Sequence, residues 1–195
     1  MEFGIFNDFW VNHPQHLPFL SFTESDFEPK SFGLNSSISN LELILKRNSL
    51  EDIKKDVIEL LVTSNWRTHL VASIALTLLK KEHTNDLLEH FWHRINKGSW
   101  VVPQLLVVLS IVDSEFRVKA ENIIKEESNY LLSNSDLHHS SRKVFDQKKI
   151  ASLNYLLKGI VSDTSESDSG ASITQGWKRN IQKAINENIF IPEQF

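Results

Sequence analysis

The run from Ser64 to Leu79, SNWRTHLVASIALTLL, constrains the fold more than any other stretch of the chain. Apolar residues fall at 70, 71, 74, 75 and 78, the spacing of an amphipathic helix with one face turned to a core. Ser64 stands where a cap is expected, and Trp66 opens the helix. The pattern then returns. Trp66 is followed by Val71-Ala72, Ile74 and Leu78, Trp100 by Leu105-Leu106, Val108 and Val112, and Phe145 by Ile150-Ala151, Leu153 and Leu157. The openings lie 34 and 45 residues apart, and the longer interval contains the polar run Ser133–Ser141. Periods of this size mark helical-hairpin repeats, whose units bury their apolar faces only by stacking. Trp66 and Trp100 are accordingly expected as core wedges between units.

The rest of the chain reads as helices around this repeat. Leu41, Ile44 and Leu45 make a short amphipathic turn that ends at Arg47-Asn48. Ser49 and Asp52 form a capping-box pattern ahead of Ile53, Val57, Leu60 and Leu61, which predicts a helix over 50–62. Thr84 is placed to cap a helix that turns Leu87, Leu88, Phe91, Trp92 and Ile95 inward and stops at Lys97-Gly98. Ser99 then caps a helix over Trp100–Val112, with Pro103 in its first turn, where a missing N–H costs little. Helices over Ser114–Leu132 and Arg142–Ile160 follow, and Trp177, Ile181, Ala184, Ile185 and Ile189 mark a last one. The expected fold is all-α, about eight helices in stacked antiparallel pairs.

Four segments follow from the same pass. Residues 1–36 crowd Phe3, Phe6, Phe9, Trp10, Phe19, Phe22, Phe27 and Phe32 between Pro14, Pro18 and Pro29 with no sustained period. Such a segment is expected to pack as an arm across the helices, the alternative being a partner-binding hook. Residues 37–161 form the repeat domain. The low-complexity run 162–172, SDTSESDSGAS, is expected to be a mobile acidic linker. Residues 173–195 form the C-terminal helix.

Composition removes several function classes. There is no cysteine, and with it go disulfides, thiol nucleophiles and Cys-ligated zinc. The net charge of −4 gives no support to nucleic acid as a partner. Val101–Val112 is the most apolar stretch, but it is twelve residues long and contains Pro103, Gln104 and Ser110. A membrane span takes about 20 residues, so no membrane partner is expected. The N-terminal MEFGIFNDFWVNH has neither the basic start nor the apolar run of a secretory leader, and the expected location is cytoplasmic.

The segment Asn65–Leu76, N-W-R-x-x-L-V-A-S-x-A-L, resembles the first helix of the short bacterial HEAT-like repeat, and the likeness runs over about residues 50–160. The second unit departs from that family, with Val101-Val102-Pro103 where a polar, Arg-containing turn is preferred, and the third unit starts late. The chain is also similar to small bacterial helical proteins, some of them immunity partners of secreted toxins. The first resemblance implies a HEAT-like α-solenoid that binds another macromolecule across an extended face. The inner row would then expose Glu89, His93, Lys97, Glu115, Lys119 and Asn122 as partner-binding residues. The second implies a secreted toxin as the partner, occluded without catalysis, and no cofactor.

Three chemical constellations compete with that reading. His90 and His93, with Glu89 adjacent, share a helix face at i, i+3 and could bind a metal if carboxylates joined from another helix, but no HExxH or further Glu-x-x-His pair completes the set. His138-His139 lie in a polar loop, and His69 is expected half-buried beside the apolar stripe. No G-x-S-x-G elbow, Walker loop or G-x-G-x-x-G turn is present. The alternative function is a DNA-binding or glycosylase-like repair protein, since some HEAT-like proteins use tryptophans and an aspartate on a basic face. It would draw on Trp66, Trp92, Trp100, Trp177 and Asp113, with Arg94, Lys97, Lys178, Arg179 and Lys183 as the positive charge.

Overall fold

The capping box at Ser49 forms as the sequence dictates. The Ser49 hydroxyl oxygen accepts the Asp52 amide at 3.2 Å while its O–H reaches the Asp52 carboxylate at 2.7 Å. The helix so started runs Leu50–Val62, the predicted span. It is one of ten α-helices in this computed structural model, which describes residues 3–11, 15–23, 33–133, 141–161 and 170–191. They are α1 (Asp8–Val11), α2 (Leu17–Ser21), α3 (Leu34–Arg47), α4 (Leu50–Val62), α5 (Trp66–Leu78), α6 (Lys81–Lys97), α7 (Val102–Val112), α8 (Phe116–Ser133), α9 (Ser141–Lys158) and α10 (Gly170–Asn186). A 3-10 turn, Gly4–Phe6, precedes them. Among the described residues there is no strand. The count exceeds the expected eight because the aromatic N-terminal segment forms the short α1 and α2. Helices of four and five residues have no useful intrinsic stability and leave little period to detect, so tertiary packing holds them.

The three helices that share the repeated pattern lie in sequence side by side, α5 against α7 and α7 against α9. On one side of this row lie α4, α6 and α8, with α4 packed on α5, α6 on α7 and α8 on α9. On the other side α2 and α3 meet α5, and α10 meets α7 and α9. The row is therefore covered twice, which corrects the expectation that α5 turns a single apolar stripe inward. Thr68, His69, Ser73 and Thr77 are as buried as Leu70 and Ile74. Hydroxyls survive there by donating to carbonyls one turn back, Ser73 to Leu70 and Thr77 to Ile74, both at 2.7 Å. The nearly all-apolar α7 is buried at every position from Val102 to Leu109.

Three helix starts differ from expectation. The cap of α5 is Asn65, not Ser64, its side-chain oxygen taking the Arg67 amide at 3.1 Å. Helix α6 begins at Lys81, a turn earlier than Thr84, which is fully buried inside it. The end of α6 is where the sequence placed it, at Gly98, with φ 97° and ψ 138°, a positive φ that glycine accepts at low cost. Helix α7 starts at Val102, which leaves Trp100 in the preceding turn and 59% exposed, so it is no core wedge. Its ring meets the Lys148 ammonium at 5.3 Å. Trp66 is half-buried at the head of α5, with the Arg67 guanidinium 4.7 Å from its ring centre.

The described part of the N-terminal segment belongs to the core. Phe6, Phe9, Phe19 and Phe22 are at most 1% exposed. Phe9 stacks on Phe19, and Phe22 sits edge-on to both Trp177 and Phe190. Main-chain groups of the segment are taken up by side chains far along the sequence. Asp56 accepts the Ile5 amide at 2.8 Å, Trp177 donates to the Phe19 carbonyl at 2.9 Å, and Asn180 donates to that of Ser21 at 2.8 Å. At the other end, Gly170–Ser172, expected in the linker, are already helical in α10. Gly170 lies directly on the backbone of Lys148, where a Cβ would collide with the carbonyl. The acidic run 162–169, His138-His139, Phe27, Phe32, Pro14, Pro29 and Pro192 lie outside the described residues.

Candidate functional site

Of the six expected partner-binding residues, the structure joins three directly. Lys119 of α8 donates to Glu89 of α6 at 2.8 Å and lies 3.8 Å from Glu115, four residues back in the turn that leads into α8. Both glutamates remain about three-quarters exposed, whereas Lys119 is mostly covered. His93 and Lys97 continue the exposed face of α6 by one and two turns beyond Glu89, and Asn122 extends that of α8.

Beneath this cluster lies a pair the sequence reading did not join. Asp113, in the turn between α7 and α8, has a side chain only 2% exposed. One carboxylate oxygen takes the Trp92 indole N–H at 2.7 Å and Lys119 at 3.3 Å, and the other takes the Glu115 amide at 2.8 Å to shape the entry of α8. Trp92 stacks on Phe116 at 5.7 Å, with the Lys119 ammonium 5.9 Å from its ring centre. Burial alone would lower the Lys119 pKa, but the hydrogen bonds it donates to Glu89 and Asp113 outweigh it and raise the pKa above the ordinary value. The face is thus mounted on a braced base rather than on loose side chains. An acid just before Ser114-Glu115 at a helix entry was the available clue, whereas its partner Trp92, 21 residues earlier, carries no local signal.

A second polar network ties the α4–α5 turn to the α6–α7 turn. His69, expected half-buried, is 1% exposed. Its Nε2 lies 3.1 Å from the Thr63 carbonyl, which can only accept, so Nε2 carries the proton and Nδ1 accepts from the Ser99 hydroxyl at 2.8 Å. Arg94 donates to the same carbonyl at 2.9 Å and to that of Leu61 at 3.3 Å. Burial, against the Thr63 hydrogen bond, pulls the His69 pKa down to about 4. Ser99 and His69 have the atoms of a nucleophile–base pair, but Ser99 is 5% exposed and Val101 donates its amide to the same hydroxyl oxygen. The arrangement holds two turns together.

The competing constellations do not assemble. Among the described residues no group of three His, Asp or Glu could hold a metal. His90 and His93 are exposed beside Arg94 and Lys97, cations that oppose another cation. The tryptophans do not form one stacking platform either. Trp177 is buried against the Phe19 carbonyl, Trp92 is buried on Asp113, Trp66 lies under Arg67, and only Trp100 is largely exposed. Asp113 is fully engaged in holding Trp92, Lys119 and the α8 entry, which leaves it poorly placed as a catalytic aspartate.

No protein-family model matches this sequence, and no curated protein and no solved structure matches the chain. What stands is the class: an all-helical protein, in whose described residues no helix is long and apolar enough to cross a membrane.

Proposed function

We propose that the chain is a non-enzymatic protein-interaction module that binds its partner through the face shared by α6 and α8. The observation that carries this reading is the Glu89–Lys119–Glu115 cluster, two exposed carboxylates fixed by a covered lysine over the Trp92–Asp113 pair. Charges held in place lose little entropy on binding and steer association with a complementary, basic surface. The successive packing of α5, α7 and α9, and of α4 and α6, supports a HEAT-like stack as the scaffold. In its most specific form the partner is a basic toxin that this cytoplasmic protein occludes, in the manner of an immunity protein.

The test is affinity capture with the whole chain as bait, in parallel with a Glu89→Ala, His93→Ala, Glu115→Ala variant of matched thermal stability. One protein retained in stoichiometric amount by the wild type and lost from the variant is the expected outcome. Capture indifferent to the three substitutions would refute the assignment of the face. Duplex DNA binding that falls steeply with salt would refute the module itself.

A further inference from the structure

A hollow of about 200 Å3 opens between α4 and α6. Ile58, Leu61 and Val62 form its apolar wall, and His90, His93, Arg94 and Lys97 form the other. No carboxylate lines it. Its floor is unusual in holding a cation taken out of water without an acid. Arg94 is 6% exposed, and among the described residues no Asp or Glu is paired with it. Its hydrogen bonds, to the Leu61 and Thr63 carbonyls, are both made by Nη1, while Nε is buried and meets no acceptor. Burial lowers the Arg94 pKa, as expected of a cation compensated only by carbonyl dipoles. A buried charge of this kind is costly unless an opposite charge meets it.

We propose that the α4–α6 hollow is a binding site for a phosphoryl oxyanion. Arg94 lines the hollow, its Nη1 is held by the two carbonyls and its buried Nε has no acceptor, so a small turn of the guanidinium toward the hollow presents the Nε–Nη2 edge, which takes two oxygens of one oxyanion at once. His93 and Lys97, one residue before and three after Arg94 on α6, supply further donors from the exposed rim, and His90, four residues before Arg94, also lines the hollow. The hollow has ample room for a phosphate group. A compact dianion suits this donor set better than a carboxylate because it has more oxygens than a single guanidinium edge can satisfy. The site does not depend on the interaction-module reading, since a free anion binds the isolated chain without any protein partner.

The experiment titrates the purified full chain with inorganic phosphate and, separately, with a phosphoserine peptide. Chloride at matched ionic strength is the control, and both thermal stability and the imidazole resonances of His90 and His93 are followed. Phosphoryl ligands at roughly 10 mM are expected to raise Tm beyond the chloride control, because a ligand that binds only the folded state stabilises it. The His90 and His93 resonances should move with the same saturation curve. A His93→Ala, Lys97→Ala variant, altered only at exposed positions, is expected to bind at least about tenfold more weakly. Tighter binding of the free ion assigns the site to a small metabolite-type phosphate, and tighter binding of the peptide assigns it to a phosphorylated protein. Stabilisation equal to that by chloride, or a titration unchanged in the double variant, would overturn the proposal.

Discussion

Replacing Asp113 tests whether the α6–α8 face is braced electrostatically or merely packed. In Asp113→Ala the Trp92 indole N–H is left buried without an acceptor, and the Glu115 amide loses the side chain that shapes the entry of α8. An orphaned buried donor costs about 1–3 kcal/mol. Truncating an acid at a helix entry costs about 1 kcal/mol more. The sum is roughly 2–4 kcal/mol, a large share of the stability of a typical single domain. Asp113→Asn keeps the shape but has one acceptor oxygen where the carboxylate had two, so its amide N–H2 must face either the Glu115 amide or the Trp92 and Lys119 donors. It is expected to lose about 1–3 kcal/mol, between wild type and alanine. Urea unfolding at 25 °C, followed by tryptophan fluorescence and by helical circular dichroism, reads both variants against one baseline. Near-identity of the asparagine variant to wild type would refute the reasoning, because it would mean that packing and not acceptor count holds Trp92. A loss below about 1 kcal/mol in the alanine variant would refute it equally.

Acid should destabilise the fold through two buried histidines. Burial, with Arg67 near His16 and Arg94 near His69, holds both pKa values at about 4 against an ordinary 6.5. The unfolded chain therefore binds more protons between these values, and stability falls as pH drops from about 6.5 to about 4, by at most roughly 3 kcal/mol per histidine. His16→Phe should blunt this loss without weakening the protein at neutral pH, since both ring nitrogens of His16 are buried with no partner while the ring packs on Trp10; pH-dependent denaturation midpoints that leave the variant as acid-sensitive as wild type would count against it. Gly170→Ala should cost about 1–3 kcal/mol by forcing α10 off the Lys148 backbone, and an unchanged melting temperature would show that the two helices yield freely. Trp177→Phe removes the donor to the Phe19 carbonyl and should free the N-terminal segment for limited proteolysis well before the long central helices are cut. Cleavage at an unaltered rate would show that aromatic packing alone retains it.

Helix existence was legible wherever an apolar period ran for three turns or more. The span of α4 came out as predicted because Ser49, Asp52 and the 53–57–60–61 stripe are all local and agree. Boundaries set by other parts of the chain were not legible. Thr84 looks like a cap in isolation, yet α6 starts at Lys81 and Thr84 bonds back to the Lys81 carbonyl inside the helix. The site divides in the same way. Glu89, Lys119 and Glu115 could be placed on exposed faces from helical periodicity, but their meeting point depends on how α6 lies against α8.

What the sequence determined by itself was the helical class and the position of most long helices, because hydrogen bonds within a helix and the 3.6-residue period are local. Only the tertiary structure decided that α5 is covered on both sides, that Phe6, Phe9, Phe19 and Phe22 are fully buried, and that Asp113 lies under Trp92 while Arg94 is buried without an acid. The physical reason is range. Burial of a side chain and the partner of a charge are properties of contacts between residues tens of positions apart, and no local pattern of residues encodes them.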